Sequence, residues 1–75
     1  MRIEYSKTAD ALYVYFREVE VARSTEIQEG VVIDFDVAGQ IIGVEVLDAS
    51  ARFSLRDLVN VTIENLPLEM IEEAR

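Results

Sequence analysis

The sequence predicts one small α+β domain: an antiparallel β-meander of about five strands with one or two short helices, the C-terminal helix covering the sheet. Three observations predict it. Polar and apolar residues alternate in short runs up to Leu47, small polar residues and glycines separate those runs, and the period lengthens after Leu47. At 75 residues there is room for one domain spanning 1–75 and for a thin core, because a chain this short buries roughly 60% of its unfolded surface.

The run Arg2-Ile3-Glu4-Tyr5-Ser6 alternates as a strand with one buried face does. Lys7-Thr8-Ala9-Asp10 reads as a turn, with Asp10 setting it through side-chain bonds to nearby backbone. A second strand, Ala11 to Phe16, is apolar on both faces: Tyr13 and Tyr15 on one, Leu12, Val14 and Phe16 on the other. A third and more polar strand runs from Ala22 to Ile27, and its charges suit a sheet edge.

The strongest local signal is a hairpin from Val31 to Leu47. Taking Ala38-Gly39 as a two-residue turn pairs Phe35 with Ile42, Ile33 with Val44 and Val31 with Val46. The opposite face then receives Val32 facing Glu45, Asp34 facing Gly43 and Asp36 facing Ile41. A slip of one residue would turn Asp34 and Asp36 into the apolar set, so the register is well specified.

Beyond Leu47, Asp48 or Ser50 caps a short helix reaching Phe53, and Ser54 to Asp57 has the spacing of a capping box. Val59 to Ile63 has strand composition. Asn65 followed by Pro67 marks the start of the C-terminal helix, with Leu68 and Ile71 on its apolar side and Arg75 at its end.

Composition excludes several chemistries. With no Cys and no His there is no disulfide, no thiolate and no ordinary catalytic triad, so the chain is expected not to be an enzyme and to hold no cofactor or metal. Ser6 and Lys7, adjacent on one strand, point to opposite faces and form no Ser–Lys pair. Fifteen acidic residues against seven basic ones, net −8, oppose direct nucleic-acid binding, while a basic protein partner is compatible. No apolar run is long enough for a membrane helix and no signal-peptide core opens the chain, which makes the cytoplasm the expected compartment.

Tyr5, Ala9-Asp10-Ala11-Leu12-Tyr13, the stretch Gly30 to Asp36, Gly39, Gly43, Glu45-Val46-Leu47 and Asp48-Ala49-Ser50 together resemble a bacterial family, domain of unknown function 2283. The resemblance covers roughly the first fifty residues; Ala38 departs from it, standing where the turn more often carries Asp or Asn. It implies a small β-rich domain of no established activity. For some members it implies an antitoxin-like association with small basic ribonuclease-type toxins.

Two sets of residues are candidate sites. Tyr13 and Tyr15 form a candidate interaction face, and either they or Leu12 and Phe16 meet another chain in a homodimer. Asp34, Asp36 and Glu45 form a candidate acidic site for Mg²⁺, Ca²⁺ or a small ligand, approached through a notch at Gly43; the plainer reading is a solvated sheet face. The leading functional expectation is a non-enzymatic protein-interaction module, a homodimer acting through an edge strand or the aromatic face. The alternatives are an antitoxin-like partner of a basic toxin and an ion- or ligand-binding protein.

Overall fold

Each alternating run becomes a strand. In the computed structural model, which describes residues 1–67, these are β1 (Arg2–Ser6), β2 (Ala11–Tyr15), β3 (Arg23–Gln28), β4 (Val31–Phe35) and β5 (Ile41–Leu47). A one-turn helix α1 (Ala49–Arg52) and a 3₁₀ turn (Leu55–Val59) follow. The strands form one antiparallel sheet in the order β1-β2-β5-β4-β3.

That order corrects the simple meander. β1-β2 and β3-β4-β5 are sequential, but the second neighbour of β2 is β5, not β3. Register explains the choice, since Leu12 meets Val46 and Val14 meets Val44 across β2 and β5, matching apolar to apolar. β3, with Arg23, Ser24 and Glu26, stays at the edge. The crossing is stitched by backbone: the Phe16 and Arg17 N–H groups donate to the Ile42 carbonyl at 2.8 and 3.2 Å, and Ala22 N–H donates to the Phe35 carbonyl at 2.8 Å.

The β4–β5 hairpin keeps the expected pairs Val31–Val46, Val32–Glu45, Ile33–Val44 and Asp34–Gly43, then shifts so that Phe35 faces Ile41. The two-residue turn is therefore corrected to a loop of Val37, Ala38 and Gly39 between Asp36 and Gln40. Asp36 causes it: one carboxylate oxygen accepts the N–H groups of Ala38 at 3.0 Å and Gln40 at 2.9 Å. Gly39, at φ 81°, supplies the left-handed residue that such loops require. The extra residue is absorbed as a bulge beside Ile41 and Ile42.

The register divides the sheet into two unlike faces. One carries the rows Ile3–Val14–Val44–Ile33–Thr25 and Tyr5–Leu12–Val46–Val31, with Ile42 and Phe35 continuing by alternation. The other carries Glu4–Tyr13–Glu45–Val32–Glu26 and Arg2–Tyr15–Gly43–Asp34–Ser24.

After β5, α1 spans one turn and ends at Phe53 as its C-cap. Ser54 caps the 3₁₀ turn, its hydroxyl accepting the Arg56 N–H at 3.3 Å. Val59 to Ile63, despite its strand composition, forms no strand: beyond the 3₁₀ turn it is irregular, with Val59, Val61 and Ile63 exposed. Strand composition alone does not recruit a partner edge. Asn65, at φ 59°, to Pro67, expected to open the C-terminal helix, carry no helix, and the rest of that expected helix lies outside the described residues.

Candidate functional site

On the polar face, Tyr13 and Tyr15 project side by side from β2, with ring centroids 5.9 Å apart and planes within 13°. Glu45, paired across from Tyr13, and then burial push the Tyr13 pKa up to about 12. Tyr15 donates to Glu4 at 3.4 Å, and the Arg2 guanidinium lies 4.1 Å over its ring while pairing with Glu18 at 2.8 Å. Both rings thus have neighbours within the chain.

The candidate acidic set is pulled apart. Asp34 and Glu45 stay on the polar face, with Asp34 accepting the Ser24 hydroxyl at 2.6 Å. Asp36 turns into the hairpin loop, where the bonds from Gln40 and Ala38 and the nearby Arg17, at 3.2 Å, hold its carboxyl below the usual carboxylate range. Among the described residues no three acidic side chains come together in a way that would hold a metal ion. The Gly43 notch exists as a surface cleft of about 170 Å³ lined by Tyr15, Asp34, Gly43 and the loop after β2. A second cleft, about 450 Å³, lies between that loop and the β4–β5 turn, beside Arg17, Asp36 and Val37.

A polar cluster that pattern reading only half recovers lies at the end of the sheet where β1 turns into β2. Asp10 adopts a left-handed backbone, φ 50°. Its carboxylate accepts the Tyr5 hydroxyl at 2.7 Å, the Ser50 hydroxyl at 2.7 Å and the Ser50 N–H at 3.1 Å. These bonds, Tyr5's first, lower the Asp10 pKa, and the same contact raises that of Tyr5. Asp10 thus caps α1, whose own N-cap residue Asp48 makes no side-chain cap bond. The missed signal was the lack of any acidic residue in the first turn of α1, which leaves its N–H groups to a carboxylate from elsewhere. Nearby, Arg52 donates to the carbonyls of Leu47, at 2.8 Å, and Glu29. The residues carrying the family resemblance at this end are therefore a structural clasp joining the two hairpin turns to the exit of β5.

The apolar face is the least satisfied part of the molecule. Of its side chains only Leu12 and Ile42 are buried, at 6% and 2% exposure, while Ile3 and Phe16 remain 43% and 44% exposed. Val14, Val31, Ile33, Phe35, Val44 and Val46 are all partly exposed. Among the described elements only neighbouring strands pack extensively against one another. Its acidic content is nil: the acids carried by strands, Glu4, Glu26, Asp34 and Glu45, all occupy the opposite face. No helix among the described residues is long and apolar enough to cross a membrane.

A family model described as a protein of unknown function (DUF2283) matches residues 2–50. No curated protein and no solved structure matches the chain.

Proposed function

The chain belongs to the DUF2283 family of proteins of unknown function, and we propose that it is a non-enzymatic protein-interaction module working through the apolar face of its sheet. One observation carries this reading: Val14, Ile33 and Val44 meet in the middle of an apolar sheet face and stay partly exposed. Contiguous apolar surface of this kind marks a contact site. The clefts near Asp34 and Asp36 are open to solvent, and neither pairs a nucleophile with a base. The test is methyl NMR of dilute protein with a soluble paramagnetic probe. Broadening of the Val14, Ile33 and Val44 methyls supports a face free to receive a partner; protection of those methyls in a monomer overturns the reading.

The gathering of Glu4, Glu26, Asp34 and Glu45 on the other face favours one narrower role, as an antitoxin-like partner of a small basic ribonuclease-type protein. Such binding would weaken steeply with salt. It would be lost on joint Glu26→Lys and Glu45→Lys replacement; binding indifferent to both would remove this role.

A further inference from the structure

We propose that the occupant of the apolar face is a second copy of this chain, packed face to face as a two-layer β-sandwich. This deepens the interaction-module reading and rests on it. Charge is the first argument. Two copies at net −8 each repel, and packed sheets stand only about 10 Å apart, close to the screening length at physiological salt. Contact is favoured where no acid is brought against another. The apolar face meets that condition, since its strand positions hold no acidic residue and one cation, Arg23, at the β3 edge, where it lies 4.2 Å over the Phe35 ring. A basic partner would be drawn to the other face, and an anionic lipid surface would find a single arginine here.

Symmetry is the second argument. β5 is the central strand, and Val44 is its middle residue, flanked by Val14 and Ile33. A two-fold contact is made by the same patch on both copies, so its axis passes near the patch centre, close to Val44. Side chains from two such faces interdigitate as the core of an aligned sandwich.

The experiment mixes isotope-labelled and unlabelled wild-type protein at high micromolar concentration and records isotope-filtered methyl NOEs. Intermolecular NOEs linking Val14, Ile33 and Val44 to their copies are expected, with probe broadening of the same methyls falling several-fold relative to dilute protein. A dimer whose intermolecular NOEs come from Tyr13 and Tyr15 or from an edge strand overturns the proposal. A monomer at every concentration, with these methyls still broadened, overturns the second copy and leaves the interaction module standing. A monomer with the methyls protected overturns both.

Discussion

Asp10 and Ser50, forty residues apart, share two hydrogen bonds: the Ser50 hydroxyl donates to one carboxylate oxygen at 2.7 Å and its N–H to the other at 3.1 Å. The turn between β1 and β2 is thereby fastened to the first turn of α1.

That clasp has a pH signature. The folded pKa of Asp10 lies below its ordinary value of 3.8, so the fold favours the ionised form. The stabilisation is fully present above that value and is lost as pH falls through the lower, folded pKa. Thermal melts of wild type and Asp10→Asn should therefore differ near pH 6 and converge near pH 2, at roughly neutral and strongly acid conditions. A gap of equal size at both ends would mean that the carboxylate charge contributes nothing.

Tyr13 behaves in the opposite sense. Its folded pKa, raised to about 12 from 10.0, favours the protonated phenol, so its contribution is complete below 10.0 and disappears as pH rises through about 12. Ultraviolet titration of Glu45→Gln should bring the Tyr13 ionisation down towards 10.0. A curve superimposable on wild type would show that Glu45 does not hold the hydroxyl.

Gly30 and Gly39 both have positive φ, at 80° and 81°, yet they should respond differently to Ala. A Cβ on Gly30 would lie 2.5 Å from a guanidinium nitrogen of Arg52, whereas one on Gly39 would meet nothing within 4 Å. Gly39→Ala should cost only the left-handed backbone penalty, about 1–2 kcal/mol. Gly30→Ala should cost more, because Arg52 must also give up its carbonyl partners. Equal midpoints in chemical denaturation would place Arg52 elsewhere.

The two faces are distinguished by one substitution made at adjacent residues. Ile33→Lys puts a charge at the middle of the apolar face and should cost on the order of 2–4 kcal/mol. Val32→Lys, placed between Glu26 and Glu45, should be within about 0.5 kcal/mol of wild type. Reversed ranking in urea denaturation would invert the face assignment.

Alternation made much of this legible. The pairs from Val31–Val46 to Asp34–Gly43 follow from keeping Ile33 and Val44 together and Asp34 away from them. The turn was misread because Asp36, a side chain, decides it by accepting the Ala38 and Gln40 N–H groups; periodicity carries no trace of that. The β2–β5 pairing is non-local, and nothing in the run Ala11 to Tyr15 names its second neighbour. Asp10 was legible as a turn residue but not as the cap of α1. Tyr13 and Tyr15 were legible as one face of β2; that they sit among Arg2, Glu4 and Glu45 depends on which strands lie on either side. The segment Val59 to Ile63 shows the converse, strand composition without a strand.

Sedimentation equilibrium of the wild-type chain, from low to high micromolar, reads self-association of the apolar face without any substitution. A mass rising towards twice 8.5 kDa with concentration is expected, as a self-associating sheet face requires. A mass of 8.5 kDa at every concentration would contradict it.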